Sequence, residues 1–347
     1  MKSPDKNLLI SNDSTHSSPV SKLSRIVFRL TLTAALMGGL ALSCLSSYAS
    51  AQAQNVSEAV AEHPNWAQLP GELIRPDCVH EIPKGARVEI GKAGNLTGDV
   101  TLNGALIAHY DSCPEQGIVT RQSAATPTAA KPEVATGNGL VEDDRYNAPL
   151  SASDNIDYLA GNWTVPAYPS EAGEQLIYLS NGIEPASHKW ILEATLQYGY
   201  NGVWGGSYYS ISAWLASTSV AYYSAPEFVL PGDSLTGYTN MTGEAGSTTY
   251  WDVVIADNSS GAYSGSSYWV SGQHWTWAYA GILQAYNLSA CAEFPANGRE
   301  VFSDSVVAHG FPYYAEINYP NWKGAIAGYG GPSCRFAVVA ASGTLDF

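Results

Sequence analysis

The sequence has no G-x-S-x-G elbow, no H-E-x-x-H pair and no phosphate-cradling glycine loop. The common serine-hydrolase, zincin and nucleotide-binding chemistries therefore have no anchor in it. His80-Glu81 comes nearest to a zincin pair, and no second histidine follows at the required spacing. Positive charge is scarce: 16 Lys and Arg stand against 31 Asp and Glu, a formal net charge of −15. Such a surface repels nucleic acid and anionic lipid and excludes both as partners. Within residues 146–347, helical apolar stripes are absent from windows of roughly eleven residues, which argues against helices there. No repeat with a period of about 20–50 residues is visible, which argues against a propeller.

What is present begins with a tripartite N-terminus. Lys22, Arg25 and Arg29 form a basic region, an apolar region runs from Leu30 to about Leu45, and Tyr48-Ala49-Ser50-Ala51 puts small residues at the −3 and −1 positions of a cleavage site. Residues 1–51 read as a signal peptide, with cleavage near Ala51 and Ala53 as an alternative. A retained anchor is the competing reading, but the apolar run is diluted by Gly38, Gly39, Ser43, Ser46 and Ser47 and falls short of the ~20 residues that span a bilayer. Acylation of Cys44 is weaker still, because no large aliphatic residue stands three before it. The mature chain is then secreted, periplasmic or extracellular. It loses five basic and two acidic side chains with the signal, so it is more acidic than the whole. A monomer with no membrane contact is expected.

Four cysteines remain after export: Cys78, Cys113, Cys291 and Cys334. An even number in an oxidising compartment suggests two disulfides with three possible connectivities; the sequence-local one joins Cys78 to Cys113 and Cys291 to Cys334. Cys78 and His80 with His109 and Cys113 could instead hold zinc; the disulfide is the plainer reading, and no metal or cofactor is expected.

Three parts follow the signal. Residues 56–120 carry short strand-like runs (87–90, 100–102 and 105–108) and read as a small domain stapled by Cys78–Cys113. Residues 121–145, rich in Ala, Thr, Pro and Gly, read as a flexible linker. Residues 146–347 read as an all-β domain, an antiparallel sandwich of two sheets with about a dozen strands. Alternation sorts the faces. Trp190, Leu192, Ala194, Leu196 and Tyr198 form a core face, and Glu193, Thr195 and Gln197 point to water or a groove. Trp275, Trp277, Tyr279 and Leu283 share one face; Ile282, Gln284 and Tyr286 share the other. Strand aromatics such as Tyr208, Trp214, Tyr268 and Trp269 could form a sugar-stacking platform, although sandwich cores also contain Trp and Tyr.

Five short motifs in order carry a family resemblance. They are Gly161-Asn162-Trp163-Thr164-Val165-Pro166, Asn181-Gly182-Ile183-Glu184, Thr195-Leu196-Gln197-Tyr198-Gly199, Pro231-Gly232-Asp233 and Gly281-Ile282-Leu283-Gln284. Over about residues 150–300 the chain resembles the eqolisins, the glutamic peptidases, and secreted proteins related to them. The resemblance implies a concanavalin A-like sandwich with a groove, peptide-bond hydrolysis at acidic pH without a metal, Gln197 as the catalytic glutamine, and Glu184 and Trp163 lining the substrate site. The catalytic glutamate's position reads Gln284, and a neutral amide cannot take a proton from water. Glu193 is the candidate substitute. It lies about 13 Å from Gln197 along its strand at about 3.3 Å per residue, and reaches Gln284 only if the neighbouring strand is suitably staggered. The alternative is a non-catalytic module, binding peptide or carbohydrate, that has lost the glutamate. Gln197 and Gln284 are expected on neighbouring strands of an open groove. The 56–120 segment has four basic and nine acidic side chains, so it is not a charge-latched inhibitor of an acidic domain.

Overall fold

Thr248–Asp257 shows how the sequence writes a sheet. Thr249, Trp251, Val253, Ile255 and Asp257 are buried and the residues between them are half-exposed, the period of two that puts one face of a strand on a core. Leu176–Pro185 breaks that pattern, because all ten of its residues are buried. A strand buried throughout is covered on both faces, and the cover over its second face is the central feature of this protein.

The computed structural model describes residues 58–91, 97–120, 137–318, 320–326, 334–339 and 344–347. The expected signal peptide and most of the expected linker lie outside the described residues. The first strands are β1 (Ala67–Leu69), β2 (Glu72–Ile74), β3 (Val79–Ile82), β4 (Arg87–Ile90), β5 (Gly98–Leu102), β6 (Ala105–Tyr110) and β7 (Ile118–Val119). There follow β8 (Gly137–Asn147), β9 (Ile156–Thr164), β10 (Leu176–Pro185), β11 (Ile191–Tyr200), β12 (Gly205–Ser217), β13 (Val220–Ser224) and β14 (Glu227–Val229). The series continues with β15 (Ser234–Ala245), β16 (Thr248–Asp257), β17 (Tyr263–Ser271) and β18 (Trp275–Leu288). It ends with β19 (Arg299–Val301), β20 (Ser303–His309), β21 (Ala315–Glu316), β22 (Lys323–Ile326), β23 (Ala337–Val339) and β24 (Thr344–Asp346).

The fold is all-β, as expected. One large sheet runs β22-β8-β18-β10-β11-β12-β13-β3, with β14 also on β12; the other runs β21-β20-β9-β15-β16-β17-β4-β5-β6. Their inner faces meet in a core that includes Trp163, Leu179, Leu192, Leu196, Trp251, Val253, Tyr268, Trp275 and Leu283. The β1-β2-β7 and β19-β24-β23 ribbons are small additional sheets. Among the described residues no helix is long and apolar enough to cross a membrane.

The expected division into a small domain, a linker and a sandwich does not hold. β3 pairs in parallel with β13 of the first sheet, and β4 pairs in parallel with β17 of the second. Residues 137–145 of the expected linker belong to β8, which pairs with β18 along its length. The physical reason is size. About 65 residues bury too little surface to stand comfortably alone, and the strands of 56–120 instead extend both sheets past edges that would otherwise be open. The disulfides follow the sequence-local connectivity, Cys78–Cys113 and Cys291–Cys334.

The aromatic platform also dissolves. Trp214, Tyr268 and Trp275 are fully buried, and Trp269 stacks on Tyr250 with the Arg87 guanidinium on its ring.

Candidate functional site

The outer face of the first sheet is polar where it should meet water. In register across three strands, Tyr178 of β10 stands opposite Gln197 of β11 on one side and Gln284 of β18 on the other. Cross-strand partners share a face, and their chain neighbours Leu179, Leu196 and Leu283 lie in the inter-sheet core. The two glutamines are therefore level and on the outer face, as expected, but β10 separates them. Each has a relative exposure of 0%, so the expected open groove is filled.

The filling is the β1–β2 hairpin. Pro70 and Gly71 form its two-residue turn, with Gly71 at φ 79°; a type II turn needs a positive φ at its third residue and favours proline at its second. Ala67, Leu69 and Ile74 pack into a second apolar cluster with Ile191, Trp214, Tyr279 and Ile282 of the sheet. Polar bonds fix the register. The Gly71 N–H donates to Gln284 Oε1 at 2.6 Å. The Tyr178 hydroxyl donates to the Gln68 carbonyl at 2.7 Å, and the Tyr286 hydroxyl to the Leu69 carbonyl at 3.0 Å. The Gln68 N–H donates to the Asn201 carbonyl at 2.9 Å. Behind the hairpin the Thr120 N–H bonds the Gly71 carbonyl at 2.9 Å. The Cys113 and Gly117 amides bond the Ser219 and Thr218 carbonyls at 2.7 and 2.6 Å.

Gln197 is spent on its own loop. Its Nε2 donates to the Gly199 and Trp204 carbonyls at 2.9 and 3.2 Å, and its Oε1 accepts from Asn201 Nδ2 at 3.2 Å. Asn201 Oδ1 in turn accepts the Val203 and Trp204 amides, each at 2.9 Å. The amide that the resemblance assigns to an oxyanion thus clamps the β11–β12 turn.

The exchanged dyad does not form either. Glu193 stands opposite Gly182, and Gly182 opposite Tyr279. That level is four residues from the Tyr178 level, about 13 Å along the sheet. The Glu193 side chain lies over Gly182: a Cβ there would sit 2.7 Å from Glu193 Cγ and 2.5 Å from the Leu192 carbonyl. Only glycine allows that approach. Glu193 has 0% exposure, so it is not a solvated strand carboxylate.

Glu184 is held further along the same face. Its Oε2 bonds His188 Nδ1 at 2.7 Å and the Tyr279 hydroxyl at 2.8 Å. Burial raises Tyr279 well above the ordinary tyrosine range, and the Glu184 and Asp143 charges add to it. Asp143 accepts from Arg145 Nε at 2.8 Å, yet burial still lifts it to about 7. Trp163 belongs elsewhere. It is 3% exposed in the inter-sheet core, 5.0 Å from the Phe302 ring, and lines no groove. Its tryptophan-sized side chain packs on β9 of the second sheet because Gly237 leaves room for it; a Cβ there would meet its ring at 2.6 Å.

The zinc alternative fails as well. Among the described residues the one metal-like group is Asp77, Cys78 and Cys113, and its two sulfurs are bonded to each other. His80 stacks on Tyr110 at 3.7 Å, and His109 bonds Asp99 at 2.6 Å.

Several residues that build this site drew no attention in the sequence: Gln68, Gly71, Tyr178, Asn201 and Asn287. The hairpin had a signal, Ala-Gln-Leu-Pro-Gly-Glu-Leu-Ile at 67–74, a proline–glycine turn between apolar runs.

The architecture is an all-β sandwich whose polar face is occupied by its own N-terminal hairpin. The chain matches no family model and no curated protein. Among solved structures it is similar to scytalido-glutamic peptidase with a transition-state analogue inhibitor, at 13% identity and a TM-score of 0.42, over 61% of this chain and 98% of that one. A second structure of that peptidase, with a peptide-based analogue, matches at 14% identity and a TM-score of 0.39, over 59% and 96%. SCP-B, a member of the eqolisin family in complex with the tripeptide Ala-Ile-His, matches at 14% identity and a TM-score of 0.37, over 59% and 96%.

Proposed function

We propose that this is an exported binding protein whose polar sheet face holds an extended polypeptide segment, and that it is not a working peptidase. The observation that carries the reading is the Gly71 amide on Gln284 Oε1 at 2.6 Å. At the position where an eqolisin needs a proton-transferring carboxyl, this chain has a neutral amide engaged with a polypeptide backbone. Main-chain carbonyls of the same segment are met by the Tyr178 and Tyr286 hydroxyls. Backbone bonds supply affinity for a strand-like peptide and side-chain pockets supply choice among sequences. Hydrolysis would need a carboxyl sharing a water with Gln197 or Gln284, and Glu193 is offset from both. Export, an oxidising compartment and a monomeric state belong to the same reading, which peptide satisfies better than carbohydrate.

Gly71→Pro removes the amide donor and cannot adopt the positive φ, so it unseats the hairpin. A fluorescently labelled peptide of residues 62–76 should then bind the Gly71→Pro protein and not the unaltered one, as read by anisotropy. Failure of the peptide to bind an unseated hairpin variant sinks the reading. So does cleavage of a denatured protein substrate at any pH from 2 to 6.

A further inference from the structure

Gln68 is bonded at every polar group it has. Its N–H goes to the Asn201 carbonyl at 2.9 Å, and its carbonyl accepts from the Tyr178 hydroxyl at 2.7 Å. Its side-chain Oε1 accepts from Asn287 Nδ2 at 3.0 Å, while its Nε2 donates to Asn287 Oδ1 at 3.3 Å. Two amides facing each other in this way exchange a donor for an acceptor on both sides. We infer that the sheet face carries a glutamine subsite, in which Asn287, Asn201 and Tyr178 bind one glutamine of an extended strand, occupied in this chain by Gln68. The inference rests on the peptide-holding reading above and names what that peptide must contain.

The three binding residues are fixed before any ligand arrives. Asn287 sits at φ 60°, a left-handed conformation that asparagine tolerates better than most residues. Its backbone N–H is tied to Asn138 Oδ1 at 3.1 Å, and its Nδ2 also approaches the Glu174 carbonyl at 3.4 Å. The Tyr178 ring is fully buried, edge-on to Tyr286 with centroids 6.4 Å apart. Asn201 is held by its three side-chain bonds to Gln197, Val203 and Trp204. Gln197 thereby becomes a positioning residue of the subsite: it sets the carbonyl that receives the ligand's N–H. Rigid, pre-aimed groups are what give a site discrimination at low ordering cost.

Alternatives to glutamine each lose something definite. Glutamate sets a carboxylate against Asn287 Oδ1. Leucine leaves Asn287 Oδ1 unmatched and Nδ2 with only its long bond to the Glu174 carbonyl at 3.4 Å, and asparagine is one methylene short. Rejection of a ligand lacking the right hydrogen-bonding group is strong because the site's polar atoms are left unpaired. A cavity of about 350 Å3 adjoins Asn287, lined also by Gln175, Tyr198, Gly199 and Tyr200, and leaves room beside the subsite. The ligand class is a polypeptide with glutamine followed by an apolar residue and a Pro-Gly turn.

The test uses the full mature chain. Gln68→Glu should unseat the hairpin, read as at least tenfold faster hydrogen exchange of the Gly71 amide, with the sandwich amides unchanged. Asn287→Asp in the otherwise unaltered chain, which keeps the acceptor and loses the donor, should act in the same direction and serves if the first variant folds poorly. A labelled 62–76 peptide should then bind the Gln68→Glu protein at least tenfold more tightly than the same peptide carrying Glu at position 68. Adding Asn287→Ala should erase that preference. Equal affinity for the two peptides, or a hairpin that stays protected in both variants, overturns the glutamine subsite and leaves the peptide-holding face standing. Binding of neither peptide by a chain whose hairpin exchanges freely overturns the peptide-holding face itself.

Discussion

The amide of Gly71 and the side-chain carbonyl of Gln284 lie 213 residues apart in the chain and 2.6 Å apart in space, both buried. This bond couples the tip of the N-terminal hairpin to the middle of β18. Gln284 Nε2 has no hydrogen-bond partner among the described residues, so the acceptor oxygen is the working half of the side chain.

Gln284→Leu should therefore strand the Gly71 N–H in a dry interface. A buried donor left without an acceptor costs about 1–3 kcal/mol. Denaturant titration should show a loss in that range, and hydrogen exchange should accelerate at Gly71 before it does in β10 or β11. Gln284→Glu keeps an acceptor and should seat the hairpin, so a gain of peptidase activity in that variant alone is not expected.

Stability should fall as pH rises from 4 to 8. Among the described residues ten carboxyl groups are buried (Glu72, Glu142, Asp143, Asp144, Asp157, Glu184, Glu193, Asp257, Glu293 and Glu300), and no lysine or arginine is. Burial lifts Asp157 to about 6, Asp143 and Glu300 to about 7 and Glu142 to about 9. A carboxyl whose folded value exceeds its unfolded value of about 4 binds its proton more tightly in the folded state. Its stabilisation is complete below about pH 4 and is lost as pH climbs through the folded value. Asp257 and Glu293 work the other way, their carboxylates held low by bonds to Ser260, Ser259, Ser289 and Ala290 against the cost of burial. Their contribution is lost only as pH drops below the ordinary range. Thermal melts should show Tm several degrees lower at pH 8 than at pH 4.5, and Asp143→Asn should flatten part of that slope. A Tm rising across this interval contradicts the sign.

Cys78→Ser with Cys113→Ser opens a loop whose ends are 35 residues apart. Loops of that size correspond to roughly 3–4 kcal/mol in the chain-entropy account. The loss should appear in the global unfolding transition, because β3 and β4 belong to the two main sheets. A cut at a protease site engineered between Thr120 and Gly137 should not release the 58–120 fragment on native gel filtration; its release would restore the separate-domain view.

Gly182→Ala should destabilise by about 1–3 kcal/mol, the usual cost of forcing volume into a packed site. The added carbon meets the Leu192 carbonyl, which is backbone and cannot swing away, and Glu193 Cγ. Glu193→Ala in the same chain removes the second clash and should recover part of the loss in a denaturant titration.

The sequence made β11 legible residue by residue, because Trp190 to Tyr198 alternate without interruption and both faces were assigned correctly. On β18 the same rule held for Ile282, Gln284 and Tyr286 and failed for Trp277 and Tyr279, which do not share the face of Trp275 and Leu283. The strand's register shifts between Tyr279 and Gly281, and a single bulge reverses which side later residues face. Trp275 and Leu283 lie in the inter-sheet core while Tyr279 and Ile282 lie under the hairpin. The outer face was recognised as polar, but nothing in Glu193, Thr195 and Gln197 says whether water or another segment covers them. The covering strands are three residues each, too short for a period to emerge. Trp163 drew a binding role from the motif around it, whereas a large aromatic on a strand is more often core.

The parallel pairings of β3 with β13 and β4 with β17 have a consequence for the order in which the molecule forms. Val79 meets Ala221, and Arg87 meets Ser267, so strands early in the chain find their partners only in strands far later in it. Closing such long loops is entropically costly and slow. Residues 67–90 thus wait, with their apolar side chains uncommitted, until the antiparallel meander of β10 to β13 and the hairpins of β15 to β17 have assembled around local turns. The segment made first is the last one docked, and the Cys78–Cys113 bond ties β3 to a residue only 35 positions on, a local restraint on a segment whose strand partners are all distant.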